Sequence, residues 1–459
     1  MSNPANASTL PAKFLSGSII RHIWVMTTTS ALGLVGVFLV DLVDILFLSM
    51  LDNDDIIAGV GFAASLSFFT VSLSIGITIS MAALVSRMIG QRNVEQARRY
   101  VVNVATLALL LTSVLAAIIW VNLPLLLGLL GASDGALDVG VSYLQILLPS
   151  LPILATGMAM SAALRAVGDA RLSMLTTLSG GAVNAVLDPI FIFALAWGVE
   201  GAAVASLIGR IVVLILAFYG VTNKHKLMKR FVLADFFEDL KPIFKIAGPA
   251  MLTNMSTPIG NAIVIKAVAT YGSAYVAGFA IVGRISPVAF ALVFSLSGAI
   301  APIIGQNFGA YNFDRIYRTL RDSLYFNIAY VSLVSLFLFI LQQPIIDLFK
   351  LQGEAAQLME LFCTWLAITF MFNGAQFISN AAFNNLGKPM YATWFNVGKS
   401  TVGTLPFVIV GGQLAQANGV LIGQAVGGML FATAGVWMAF WHLQQLRKAH
   451  QRQHSSQSL

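Results

Sequence analysis

The chain is poor in charge. Only 10% of its 459 residues are Asp, Glu, Lys or Arg, while 58% are hydrophobic. Soluble domains carry roughly 25% charged residues, so this composition excludes a soluble globular protein. With a mean hydropathy of +0.84, it identifies an integral membrane protein, and its polar stretches are too short for a large soluble domain. Cys363 is the single cysteine, which excludes an intrachain disulfide framework. The five histidines, His22, His225, His442, His450 and His454, all fall near loops or tails. There is no His/Cys cluster, no His-Glu-x-x-His and no phosphate-binding loop. Enzymatic function, a cofactor and a nucleotide-binding domain are therefore not expected, and energy would come from an ion gradient or from the substrate's own. The polar stretch Met1–Ser18 lacks a short apolar core with a cleavage site, so no removed signal peptide is expected. The net charge of +7 calls for no nucleic acid, because most basic residues lie in loops.

What the chain does have is long apolar runs. About 20 such residues cross a bilayer core, and twelve segments qualify, near 23–50, 56–86, 100–122, 140–163, 172–195, 200–222, 243–271, 276–303, 317–341, 357–382, 390–412 and 417–443. One alternating set of loops holds Arg87, Arg92, Arg98 and Arg99, then Arg165 and Arg171, then Lys224, Lys226, Lys229 and Arg230. The set continues with Arg315, Arg318 and Arg321, then Lys388, and ends with Arg447, Lys448 and Arg452. The other loops are nearly bare of Lys and Arg, and the first is acidic, with Asp52, Asp54 and Asp55. By the positive-inside rule both termini are expected in the cytoplasm. The longest hydrophilic connection, Thr222–Lys245, reads as a cytoplasmic linker, partly helical along the membrane surface. It divides the chain into an N-lobe over 1–222, a linker over 223–245 and a C-lobe with a cytoplasmic tail over 246–459.

The halves repeat. Ile89-Gly90-Gln91 recurs as Ile304-Gly305-Gln306, Gly168 matches Gly387, Pro189 matches Pro406, and Gly201 matches Gly419. Six helices per repeat give both copies one topology, related by an axis along the membrane normal. The fold expected is therefore all-α: twelve transmembrane helices in two six-helix lobes related by pseudo-two-fold symmetry. Secondary transporters commonly carry such repeats, with the substrate pathway between the halves.

Ionisable groups within a membrane are expensive and mark function by default. Segment 5 carries Asn184 and Asp188, one helical turn apart, followed by Pro189. Segment 1 carries Asp41 and Asp44. Counted from the acidic first loop and from the Trp197–Glu200 loop, Asp44, Asp188 and Ser206 all lie roughly 9–13 Å below the outer ends of their helices. Equal depth allows a shared site of Asp44, Asn184, Asp188 and Ser206, with Asp41 as a further candidate. Two carboxylates close together in low dielectric cannot both ionise cheaply; one keeps a proton, or a cation such as Na⁺ joins them. The repeat supplies an internal control. Asp188 maps to Leu405 and Asp44 falls between Asn261 and Ile263, and neither segment 7 nor segment 11 contains an acid. That asymmetry favours a coupling site in the N-terminal half alone.

The C-terminal half has uncharged polar faces instead. Asn373, Gln376, Asn380 and Asn384 share one face of segment 10, and Asn254 and Asn261 lie seven apart on segment 7. Asn254, Asn261, Asn373, Gln376 and Asn380 are candidates to line a substrate cavity, with interhelical hydrogen bonding as the competing role. Lys266 lies near the outer end of segment 7, where it can snorkel. Arg284 lies deeper, in segment 8, and has no evident partner.

Several motifs together resemble those of the multidrug and toxic compound extrusion (MATE) family. They are Val43-Asp44, then Ala58-Gly59-Val60-Gly61, then Ile89-Gly90-Gln91, then Asn184-x-x-x-Asp188-Pro189 and Gly198-Val199-Glu200-Gly201-Ala202-Ala203. Each is weak alone; their order, spacing and duplication are more specific, and the resemblance spans nearly the whole chain. Acids in the N-lobe and none in the C-lobe resemble the DinF-like branch. The resemblance implies a multidrug efflux antiporter of a bacterial inner membrane. It would work by alternating access and export cationic or amphipathic compounds in exchange for H⁺ or Na⁺. Asp44, Asn184, Asp188 and Ser206 would form its cation site, and the chain would act as a monomer. Family members often have a proline early in helix 1; here that region reads Met26-Thr27-Thr28-Thr29-Ser30, so a proline-driven kink is not expected, although Gly33 and Gly36 could soften the helix. The alternatives are a flippase for lipid-linked precursors, disfavoured by the embedded acids; a membrane enzyme, which lacks a visible nucleophile or metal site; and a passive channel, for which the asymmetry has no use.

Overall fold

A computed structural model of the chain describes residues 10–51 and 53–457; Asp52 of the acidic loop lies outside them. Among the described residues the structure is helical throughout, with no strand. In lipid this is forced, because each backbone N–H and C=O must find its partner within its own segment. Ten stretches of at least 18 residues are long and apolar enough to cross a membrane. The last of them, Pro389–Gln453, covers the eleventh and twelfth expected segments. Segment 7 lies within Leu233–Ala269, and segment 8 is split into Ser273–Ala289 and Ala291–Gly309.

The chain forms two compact units. One is built mainly from Leu32–Met251 and the other from Leu252–Leu459 together with Phe14–Ala31. Two helices are thus shared: α1 (Ile19–Ser49) changes unit after Ala31, beside Gly33 and Gly36, and a long helix over Leu233–Ala269 changes after Met251. Helix α1 runs unbroken through the position where a proline was lacking. The linker expected over 223–245 becomes helix from Leu233 onward. It docks because its acids find a basic partner. Asp239, 3% exposed, receives Arg99 Nε at 2.8 Å and Asn103 Nδ2 at 2.7 Å. Ile243 and Ala247, both fully buried, then join the first unit's core with Met81, Val85, Val101 and Ala159.

In unit one, α2 (Asp54–Gly90), α3 (Val94–Val121), α4 (Leu123–Leu129), α5 (Asp134–Leu147), α6 (Leu151–Ala166), α7 (Ala170–Pro189) and α8 (Gly198–Tyr219) follow in order. Helix α7 starts where Asp169 accepts the Leu172 N–H, and packs on α8 through glycines: a Cβ on Gly180 would stand 2.8 Å from the Gly209 carbonyl oxygen. Small residues allow such backbone approach, which is what joins helices in lipid. Pro189 has no N–H to donate, and the chain beyond it widens into a π-helical turn over Ile190–Ala194.

The repeat is visible in the backbone. Residues with positive φ recur at a constant separation of 219: Arg92 and Tyr311, Gly131 and Lys350, Asp134 and Gly353, Gly168 and Gly387. Asn93 caps α3 by accepting from Gln96 N, and Asn312 caps its counterpart, Phe313–Ile340, by accepting from Arg315 N. The second unit's core centres on Val264, Val268, Phe290, Val331, Leu358 and Val420. The eleventh segment is broken: helix Pro389–Ser400 stops at Thr401 (φ −111, ψ −84), and helix resumes at Leu405-Pro406.

Candidate functional site

Asp44, Asn184 and Asp188 meet in unit one. Asn184 Nδ2 donates to Asp44 Oδ1 at 3.0 Å and to Asp188 Oδ2 at 2.8 Å. One amide therefore bridges two carboxyls that are residues 44 and 188 in sequence. The i, i+4 spacing on α7 stacks Asn184 under Asp188, and the α1 packing through Gly36 and Gly181 brings Asp44 to them. Asp188 is fully buried and Asn184 is 6% exposed, whereas Asp44 is half-buried. Asp44 and Asp188 thus share the one Asn184 amide as donor. Asp188 Oδ1 is buried and has no partner donating to it. A proton held by the pair would remove the mutual repulsion of two carboxylates.

Ser206 stands one step further out. It makes no hydrogen bond to Asp44, Asn184 or Asp188 among the described residues, and Tyr143 beside it lies in the fields of Asp44 and Asp188. Asp41 is exposed and makes no hydrogen bond among the described residues, but it lies in the fields of Asp44 and Arg210. Arg210 anchors on α8 by donating to Ser150 Oγ at 2.7 Å and the Leu147 carbonyl at 3.2 Å. Sequence reasoning missed Arg210 and Tyr143. Arg210 could have been found as a cation inside an apolar segment; Tyr143 carries no local signal.

In unit two the amide face of helix Phe370–Asn385 is largely buried. Gln376 and Asn396 both donate to Asn380 Oδ1, at 3.2 and 2.8 Å. Asn373 is half-buried and accepts from Lys399 Nζ at 2.6 Å. Lys399 is a further residue that sequence reasoning passed over. Asn254 is half-buried, and Asn261 is exposed and has no bond in this network among the described residues. Arg284 is exposed and has no hydrogen bond or ion pair among the described residues. No group of three or more His, Cys, Asp or Glu able to hold a metal ion occurs among the described residues.

The MatE family model matches this chain twice, over residues 30–190 and 249–410. The chain belongs to the MatE family. The two matches start 219 residues apart, at 30 and 249, which is the separation of the left-handed residues. Among relatives, an FAD transporter of Shewanella oneidensis is 26% identical over 93% of this chain and 95% of its own. The multidrug export protein MepA of Staphylococcus haemolyticus is 24% identical over 83% of this chain and 84% of its own. Solved structures share the fold. The Vibrio cholerae MATE transporter VcmN in its bent form aligns with a TM-score of 0.86 at 24% identity, over 94% of this chain and 97% of its own. A MOP superfamily transporter from Pyrococcus furiosus aligns with a TM-score of 0.88 at 23% identity, over 95% of this chain and 98% of its own. This MatE chain is thus a multi-pass membrane protein with the two-repeat, all-helical fold of these transporters.

Proposed function

We propose that this MatE transporter is an antiporter of a bacterial inner membrane, exporting cationic or amphipathic organic compounds while H⁺ enters. The observation that carries the coupling is the Asn184 amide held between Asp44 and Asp188. Its NH₂ group faces both carboxyls, so the pair is supplied with donors and lacks only the proton that would relieve it. Na⁺ would instead require the amide to turn its oxygen toward the ion, since a cation takes oxygen ligands. The arrangement as it stands therefore supports a proton site. A ligand shifts two states only by its differential affinity for them, and a buried carboxyl pair that binds a proton in one state and releases it in the other supplies such a difference.

The substrate range follows from relatives. An FAD transporter and a multidrug export protein point to aromatic, amphipathic solutes of moderate size. The loops rich in Lys and Arg support cytoplasmic termini. In cells at equal expression, Asp188→Asn should abolish drug resistance while the protein remains folded in the membrane. Resistance equal to wild type in that variant would remove Asp188 from the mechanism.

A further inference from the structure

Lys399 is the charge that the coupling mechanism leaves unused. It is the eleventh residue of helix Pro389–Ser400, about 15 Å along it, which is the middle of a hydrocarbon core about 30 Å thick. An ammonium there is expensive and is retained where it faces a cavity or a partner. Its partner is the neutral Asn373 Oδ1 at 2.6 Å. It has no ion pair among the described residues, and neither its own segment 11 nor segment 7 carries an acid. Of its three N–H donors, one is used. Because Lys399 can only donate, the Asn373 amide must present its oxygen to it, which leaves the Asn373 NH₂ as another donor with no acceptor among the described residues. The side chain is half-buried and so reachable. Its stem lies along the second unit's last long helix, where a Cβ on Gly428 would stand 3.4 Å from Lys399 Cε.

Lys399 sits at a helix break, since Thr401 leaves helical geometry immediately afterwards. Discontinuous helices at the midplane are where transporters place ligand groups. Arg284 is a second cation within a membrane helix of unit two, and it too has no ion pair. Unit one shows the opposite sign at its own break, where Asp188 precedes Pro189. The repeat thus carries an acid at the break of one copy and an ammonium without an ion pair at the break of the other.

We infer that Lys399, with the Asn373 amide, is a subsite for an anionic group of the transported solute, a phosphate or a carboxylate. Lipid headgroups lie at the interface, about half a bilayer core away, so the anion belongs to the solute. The inference deepens the export reading and rests on it: the exported class includes amphipathic aromatic compounds that bear an anion.

The test uses two probes that differ by one phosphate, FMN and riboflavin. Their binding to purified full-length protein is read by flavin fluorescence anisotropy. Wild type should bind FMN at least about tenfold more tightly than riboflavin, the scale of one charge-assisted hydrogen bond. K399R should keep that preference. K399M should bring the two affinities together, and so should K399Q, which preserves a donor toward Asn373 and guards against a packing defect. An equal affinity of wild type for the two flavins, or no binding of either, would overturn the subsite; so would a K399M protein that keeps the FMN preference. Failure of the export reading would show separately, as absence of gradient-driven ethidium efflux by wild-type protein.

Discussion

Asn184 donates its side-chain amide to Asp44 at 3.0 Å, joining two helices whose residues are 140 positions apart. The same NH₂ reaches Asp188 at 2.8 Å. In the function proposed here Asp44 and Asp188 act as one unit, and a proton bound by either would be held by both. We expect Asp44→Asn and Asp188→Asn each to lower gradient-driven transport to background, and the double variant to be no worse than either single one. Groups acting as a unit are non-additive in this way. Transport rates of the three variants that multiplied independently would contradict a shared proton.

Removing the bridge is predicted to be costly in a different way. Asn184→Ala takes the donor from two carboxyls, one of them fully buried, and a buried group left without its partner costs about 1–3 kcal/mol. Asn184→Ala should therefore unfold earlier in a thermal melt than wild type, and transport should fall as well. A variant with unchanged melting and transport would show that the amide is incidental.

On the loop before α7, Asp169 Oδ2 lies 2.8 Å from His225 Nε2 and 2.7 Å from Lys224 Nζ, and Oδ1 accepts the Leu172 N–H at 3.2 Å. The His225 contact, with Lys224 and the backbone donor, holds this carboxyl well below the usual carboxylate range, against desolvation that pushes it up. The folded protein thus binds this proton less readily than the unfolded chain. Its stabilising contribution is complete above about pH 3.9, the unfolded aspartate value, and fades as pH falls below it. Asp169→Ala should lower the melting temperature at neutral pH, by the ion contacts and by a helix cap worth about 1 kcal/mol. Its deficit should shrink in acid. An equal deficit at pH 3 and pH 7 would rule out the ionised contacts as its source.

Gly387 tests the repeat. Its φ is +83, matching +85 at Gly168, and a Cβ there would meet nothing within 4 Å. Gly387→Ala should therefore cost only the left-handed strain of an L-residue, about 1 kcal/mol, measured by denaturation in detergent. Gly387→Asn should cost less, because asparagine visits that region more readily. Equal losses for the two would mean that something other than backbone conformation is at stake.

Much of this was legible in the sequence because lipid removes alternatives. Every apolar run must be a helix, so segment count and repeat follow from composition. The Asn184–Asp188 spacing and the depth of Asp44 foretell their meeting, since an acid at that depth needs company. Other features depend on tertiary contacts. Helix Leu233–Ala269 extends into the polar linker because Asp239 finds Arg99 and Asn103. Segment 8 is interrupted at Phe290, which stacks on Phe370 with ring centroids 4.1 Å apart. Ser206 makes no hydrogen bond to the carboxyls among the described residues, a side-chain placement that equal depth along the helices does not encode. Lys399 is open to view in an apolar segment, but as a cation it has no place among the acids that mark the carboxyl site.

The most direct test of the central claim is substrate efflux from proteoliposomes of purified protein, with a pH gradient and a Na⁺ gradient imposed separately. Ethidium serves as the probe. The Asn184-bridged carboxyl pair predicts efflux driven by the pH gradient alone, lost in Asp188→Asn. Efflux that requires Na⁺ and ignores the pH gradient would contradict a proton site at Asp44 and Asp188.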